Sequence, residues 1–334
     1  VGALPTGPLN PITDVAGVKV GHGTIADRDI HTGVTAIVPE QILTRHSLPA
    51  GLYVGNGYGK LVGSTQIIEL GEIETPIVLT ATLSAFRAAD ALITYMLALP
   101  GRERLRSVNP VVGETNDGYL SDIRARPVTE KHVLDALDGA AGLAEEGCVG
   151  SGAGTSALGF KAGIGTSSRL VASSRGLASV GVLVQANFSG VLRVCGVPVT
   201  VDSMGLTAPS SEADVDAGNS CMIVVATDAD LDGRQLARLA RRAVFAMGRV
   251  GSDFASGSGD YALAFATGQP NSASLPESDM DPLFAAVLEA TEEALLNSLF
   301  MAHTTVGAMG RVKFAVPHDR LLSWLRAHGV DLAS

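Results

Sequence analysis

Asn219-Ser220 is the dipeptide in this 334-residue chain whose position offers most to chemistry. A polar segment, Val201 to Gly218, runs into it. Cys221 to Ala226 leaves it as a short apolar run with adjacent valines, the pattern of a buried strand. Ser220 thus stands where a loop enters a sheet, a place that exposes a hydroxyl and holds it rigid. From there the hydroxyl can attack the carbonyl of Asn219. An ester forms, water releases it, and Ser220 becomes a chain end that carries a nucleophile and an α-amine together. An α-amine has a pKa of about 7.7–8.0, so it can act as base for its own hydroxyl. The competing reading is a plain turn before a core strand, since Asn and Ser are common turn residues.

Further groups suit the same chemistry. Glu114 follows the strand-like Val111-Val112-Gly113; at a strand end it is either a ligand for a charged group or a solvated acid. Asn187 ends the apolar run Leu177 to Ala186. Its amide could donate to an oxyanion, or it could serve as a cap or turn residue. Ser258 and Asp260 lie two apart in the glycine-rich Gly251 to Asp260, on one face if the chain is extended.

The elements that must position these groups read as alternating strands and helices. Strands are expected at Ile12 to His22 after a turn, Thr32 to Pro39, Pro76 to Thr82, Val111 to Gly113, Leu177 to Asn187, Cys221 to Ala226 and Tyr261 to Ala266, with Val191 to Val201 continuing the sheet. Helical spacing covers Ser84 to Leu99 with Ser84 as N-cap, and Thr129 to Leu137. A helix capped by Asp228 or Asp230 runs to about Met247. Asp281 caps Pro282 to Met301, with Pro282 at the first helical position, and Leu321 to Ala327 closes the chain. The glycine-rich loops Gly55-Asn56-Gly57-Tyr58-Gly59 and Gly150 to Ser168 bring backbone close to a ligand, an oxyanion or another layer. Gly152-x-Gly154-x-x-Ala157 fits a dinucleotide fingerprint in letters only. No apolar strand precedes it and no acid follows about 20 residues on.

Composition narrows the class. The 39 glycines cluster between apolar runs, which indicates a layered α/β protein with many tight turns. Net charge is −10 with no Lys/Arg block, which argues against nucleic acid and anionic membranes as partners. No apolar stretch is long enough to span a bilayer. Cys148, Cys195 and Cys221 form neither a metal spacing nor a disulfide framework, and the histidines show no His-x-x-x-His pairing. No metal or cofactor is expected. No basic-then-apolar leader is visible, so a cytoplasmic location is the expectation, with a periplasmic one left open because residues upstream of Val1 can be missing.

Taken together, several motifs resemble those of the self-processing serine aminopeptidases of the DmpA/BapA type: L-aminopeptidase/D-Ala-esterase/amidases and β-peptidyl aminopeptidases. They are Pro8-Leu9-Asn10-x-Ile12-Thr13-Asp14-Val15-x-Gly17-Val18, Thr32-Gly33-Val34-Thr35-Ala36-Ile37, Gly55-Asn56-Gly57-x-Gly59, Gly113-Glu114-Thr115-x-Asp117-Gly118, Gly159-Phe160-Lys161-x-Gly163-Ile164-Gly165-Thr166-Ser167-Ser168-Arg169, Val182 to Asn187, Val224 to Asp228 and Gly257-Ser258-Gly259-Asp260. The resemblance implies a single-domain, four-layer αββα sandwich of the N-terminal-nucleophile kind. It implies cleavage at Asn219-Ser220 into chains 1–219 and 220–334, and assembly of the processed units, often as tetramers. By similarity Ser220 is the nucleophile, Asn187 an oxyanion donor, Ser258 and Asp260 orient and tune Ser220, and Glu114 pairs with the substrate's amino group. Substrates would be short peptides, amides or esters.

Three positions depart from parts of that family. Asp260 stands where the β-peptide enzymes carry Glu. Asn116 stands where some members have an aromatic residue beside the pocket. The bond to be cut is Asn-Ser rather than Gly-Ser. Alternatives are a β-peptidyl aminopeptidase, a nylon-oligomer-type amidase or an ornithine-acetyltransferase-like acyltransferase, the last two with Thr as nucleophile. From another class comes a small-ligand binding module built on the loops around Gly55 and Gly152.

Overall fold

The structure is a computed structural model that describes residues 1–207, 219–268 and 274–331. Its main strands are β1 (Val18–Asp27), β2 (Ile30–Pro39), β3 (Leu48–Gly57), β4 (Ile77–Ala81), β5 (Val111–Thr115), β6 (Ile164–Ser173), β7 (Gly176–Asn187), β8 (Asn219–Thr227) and β9 (Ser258–Ala266). The principal helices are α1 (Ala85–Ala98), α2 (Glu130–Asp138), α3 (Gly233–Val250), α4 (Met280–Phe300) and α5 (His318–Ala327). One sheet runs β1-β2-β4-β5. The other runs β3-β9-β8-β7-β6, with a two-residue strand, Glu72–Ile73, on the outer side of β3.

Three apolar cores separate four layers. Val34, Ala36, Val78 and Val112 meet Ala88, Leu92 and Val133 between the first sheet and helices α1 and α2. Ile37, Leu79 and Val111 meet Leu183, Val224 and Leu263 between the sheets. Val180, Ile223 and Ala264 meet Leu239, Val244, Val287 and Leu295 between the second sheet and helices α3 and α4. This is the αββα sandwich. β8 sits at its centre because it is apolar on both faces. Cys221, Ile223 and Val225 belong to the helix-side core, Met222, Val224 and Ala226 to the inter-sheet core. Burying such a side chain contributes about 2 kcal/mol, and the period of two divides the residues between the layers.

Several element boundaries differ from the sequence expectation. The N-cap of α3 is Asp232: its carboxylate accepts from Gln235 N (2.8 Å), while Gln235 Oε1 accepts from Asp232 N (3.2 Å). Asp228 and Asp230 are occupied elsewhere, by Ser179 N and by Arg175. α4 begins at Met280, so Pro282 is its third residue and Asp281 lies inside the first turn. That is tolerated because first-turn N–H groups have no intrahelical acceptor. Ser84 precedes α1 but makes no side-chain cap bond. Leu192–Val194 and Val197–Val199 form a hairpin of their own and do not continue the sheet. Cys195 (φ 51°) and Gly196 (φ 79°) turn the chain back at once, as a tight hairpin requires. Most of the polar approach to Ser220, positions 208–218, lies outside the described residues.

The glycine-rich Gly150 to Ser168 serves layer packing. A Cβ at Gly165 would stand 1.9 Å from the Ala294 carbonyl, so α4 can lie against β6 only over a bare backbone. Among the described residues no helix is long and apolar enough to cross a membrane, no group of three or more His, Cys, Asp or Glu is placed to hold a metal ion, and the three cysteines are free thiols.

Candidate active site

The site forms where β8 begins, because both neighbouring strands reach that point. Asn187, the last residue of β7, pairs with Ser220 across the antiparallel ladder. On the other side β9 runs parallel, setting Ser258 beside Asn219, Gly259 beside Ser220 and Asp260 beside Cys221. Ser220 is buried, and its hydroxyl donates to the carbonyl oxygen of Asn219. The serine hydroxyl and the peptide bond before it are thus already in contact.

Asn187 holds a fixed amide orientation. Its Oδ1 accepts from Ser156 N (3.0 Å) and its Nδ2 donates to the Asn116 carbonyl (2.9 Å). The donor end is therefore turned toward the strand end that carries Glu114 and Asn116. Asn116 Oδ1 in turn accepts from Gly118 N (3.0 Å), which closes a tight turn after β5. Ser258 Oγ donates to Asp260 Oδ1 (2.7 Å), and Asn56 Nδ2 donates to Asp260 Oδ2 (2.9 Å). Burial pushes the Asp260 carboxyl above its ordinary range, while the bonds from Ser258, Asn56 and the Cys221 N–H pull the other way.

Glu114 comes from the other sheet and is not a solvated loop acid: it lies within β5 and is 2% exposed. Its Oε1 accepts from Lys60 N (2.8 Å) and stands 3.5 Å from Lys60 Nζ. Lys60 Nζ also donates to Thr82 Oγ1 (2.6 Å). Gly59 allows this approach, since a Cβ there would come within 3.1 Å of Glu114 Oε1 and 3.3 Å of the Tyr261 hydroxyl. Burial, and then the charges of Glu114 and Asp260, push the Tyr261 phenol up, so it stays neutral. Between the sheets Gln185 Nε2 donates to Thr115 Oγ1 (2.8 Å) and Ser151 O (3.0 Å), bracing the residue next to Glu114.

A cavity of about 410 Å³ opens on these groups. Tyr58, Lys60, Thr82, Glu114, Asn116, Asn219 and Ser220 line it. The sequence-predicted residues therefore converge: Ser220, Glu114 and Asn116 on the cavity, Asn187, Ser258 and Asp260 directly behind it. Lys60, Thr82, Asn56 and Tyr261 were not singled out as site residues. The sequence signal for two of them is the loop Gly55 to Gly59, which contains Asn56 and delivers Lys60.

A buried serine hydroxyl beside a carbonyl and a buried carboxylate in one cavity, with an amide donor directly behind it, suit acyl transfer from an amine-bearing substrate. The profile of peptidase family S58 matches residues 10–313. The chain belongs to peptidase family S58. It is a hydrolase, a serine aminopeptidase, and this does not favour the acyltransferase and ligand-module alternatives. The β-peptidyl aminopeptidase BapA of Sphingosinicella xenopeptidilytica is 40% identical, over 96% of this chain and 88% of that protein. The structure of a β-aminopeptidase from Burkholderia sp. superposes with a TM-score of 0.90 at 37% identity, covering 99% of this chain and 98% of that one. The L-aminopeptidase D-Ala-esterase/amidase from Ochrobactrum anthropi, described as a variant of the Ntn hydrolase fold, gives 0.89 at 33% identity, with 98% and 97% covered.

This S58 protein also buries a carboxyl next to its site residues. Burial pushes Asp117 up to about 7, with Glu114 adding to the rise and Thr32 and Lys161 opposing it. Between about pH 4 and pH 7 the folded Asp117 therefore keeps a proton that the unfolded chain has lost. Stability from this group falls as pH rises through that window, by about 4 kcal/mol in all, and is flat above it. His22 works in reverse: burial lowers it to about 4, so its contribution is lost as pH falls from about 6.5 to 4. Comparing Asp117→Asn with the unsubstituted protein isolates the first group. The stability difference, measured by urea unfolding, is expected to move by about 4 kcal/mol in favour of the variant between pH 4 and 7. A difference that does not change with pH would refute this.

Proposed function

We propose that this serine aminopeptidase makes its own catalytic residue by cutting the bond between Asn219 and Ser220. The observation that carries the proposal is the contact of the Ser220 hydroxyl with the Asn219 carbonyl, in the cavity that also holds Glu114. Attack of Oγ on that carbonyl carbon closes a five-membered ring. The C–N bond breaks, the nitrogen of Ser220 takes up the hydroxyl proton, and an ester links Asn219 to Ser220. Water hydrolyses the ester. Residues 1–219 end at Asn219, and the second chain starts at Ser220 with a free α-amine.

In turnover that amine takes the proton of its own hydroxyl as Oγ attacks the substrate carbonyl. Asn187 Nδ2 serves the developing oxyanion, a contribution typically of about 3–4 kcal/mol for one such donor. The Ser258–Asp260 pair sits beside the strand backbone of Asn219 to Cys221 and orients the new amine. Glu114 receives the substrate's ammonium, which confines the enzyme to residues with a free amino end. The substrates are N-terminal residues of short peptides, amides or esters. The relatives named for β-peptides extend the class to β-aminoacyl residues. Processed units assemble into a tetramer, as the resemblance implies.

The test is the purified protein itself. Intact mass should give two chains, the shorter with the N-terminal sequence Ser-Cys-Met-Ile. The same sample should hydrolyse aminoacyl or β-aminoacyl p-nitroanilides and sediment as a multiple of the processed unit. An active enzyme in which residues 219 and 220 remain joined would sink the proposal.

A further inference from the structure

A pocket that must attract an ammonium group already contains one. Lys60 Nζ stands 3.5 Å from Glu114 Oε1 and is anchored at 2.6 Å on Thr82 Oγ1, and all three residues line the cavity with Ser220. For a substrate whose head group is a lone ammonium this arrangement is counterproductive. Lys60 offsets part of the Glu114 charge, and its repulsion of the incoming amine acts over a few ångströms beside a buried acid. The pair becomes useful if the substrate brings an anion next to its amine. The carboxylate then meets Lys60 as the ammonium meets Glu114, and the four charges alternate. Lys60 has capacity for this. Of its three N–H donors, the contacts on Thr82 and Glu114 engage two, and its side chain is 39% exposed.

We propose that Lys60 is a specificity residue that selects substrates with a carboxylate adjacent to the free amine, and that the fitting class is the β-aspartyl residue at the N-terminus of a peptide or amide. This rests on the aminopeptidase reading above. In a β-aspartyl residue the reacting carbonyl is that of the side chain, and one carbon, two bonds away, carries both the ammonium and the carboxylate. It is a β-amino acid whose β-substituent is the anion, so it keeps the spacing used for β-aminoacyl residues. An ion pair 3.5 Å apart matches charges on a single carbon better than those of an α-linked aspartyl residue, where another carbon separates them. The reaction consumes a β-linked aspartyl residue and releases free aspartate. Its supplying reaction is one that converts Asn or Asp linkages in peptides to the β form.

The test compares kcat/KM for the p-nitroanilides of β-linked aspartate, β-alanine and α-linked aspartate. It uses the processed enzyme and its Lys60→Met, Lys60→Gln and Lys60→Arg variants. The unsubstituted enzyme should favour the β-aspartyl over the β-alanyl substrate about tenfold or more. In Lys60→Met and Lys60→Gln that ratio should fall by about 10–100-fold, mainly through KM for the β-aspartyl substrate, as expected for loss of a charged contact. Lys60→Arg should retain part of it. An unsubstituted enzyme that cleaves the β-alanyl substrate and neglects the β-aspartyl one overturns the inference. So does a ratio that neither neutral variant changes, or a preference for the α-linked aspartyl substrate. An enzyme that cleaves none of the three but hydrolyses another aminoacyl p-nitroanilide overturns this inference alone, and one that hydrolyses no aminoacyl p-nitroanilide overturns the aminopeptidase reading and this inference with it.

Discussion

Ser220→Ala is expected to yield one uncut chain of 334 residues with no detectable aminopeptidase activity. The loss should be on the order of 10⁵-fold or more, the scale at which removing a nucleophile that acts as part of a unit is felt. Two functions would vanish together, because in the proposed scheme the hydroxyl that cuts the Asn219–Ser220 bond is the one that later attacks substrate. Folding should survive, since alanine deletes a single oxygen whose hydrogen bond among the described residues is to the preceding carbonyl. A melting temperature within a few degrees of the unsubstituted protein would separate lost chemistry from lost structure. Ser220→Thr keeps the hydroxyl and should still give two chains, more slowly, because the added methyl must fit a buried site. Cleavage persisting in Ser220→Ala would place the nucleophile elsewhere.

Glu114→Gln is expected to be the second-largest loss. The variant keeps the shape of the side chain and an acceptor for the Lys60 N–H, so the architecture should hold. What disappears is the negative charge in a nearly dry position. Lys60 then becomes the dominant charge near the amine end and repels the substrate. Truncating one partner of a buried charge pair typically costs 2–5 kcal/mol. A fall in kcat/KM of about 10²–10³-fold follows for substrates with a free amine. Most of it should appear in KM, because the ammonium sits away from the bond being broken and is bound alike before and during the reaction. The discrimination between free and N-acetylated substrates should shrink by the same factor. Equal losses for both kinds of substrate would mean that Glu114 supports the nucleophile instead of reading the amine.

Much of this site follows from local sequence. The switch from a polar run to Cys221–Ala226 marks where a strand must begin, because six apolar residues in a row need both faces covered. That alone places Ser220 at the entry to a strand. The two-residue spacing of Ser258 and Asp260 becomes a hydrogen bond once the segment is extended. Helices α1 to α4 are legible from apolar periodicity, and so is the N-cap position Ser84 of α1, while the starts of α3 and α4 are not. The cap of α3 is settled by the reciprocal bond between Asp232 and Gln235, and several aspartates nearby look equally suitable in sequence.

Residue types and their periodicity by themselves determined the strand–helix order, the layered class and the place of Ser220 where a polar run enters a strand. Only the tertiary structure decided what that serine meets. Asn187 faces Ser220 because β7 and β8 pair in one particular register. Glu114 reaches the same cavity from a different sheet, and Lys60 joins it because a glycine lets the loop after β3 come close. Strand and helix formation depend on neighbours a few positions apart, so sequence displays them. The charge pairing of Lys60 with Glu114 and the clasp of Asn56 on Asp260 join residues 54 and 204 positions apart. Such contacts exist only after two sheets have packed and fixed which ends lie together.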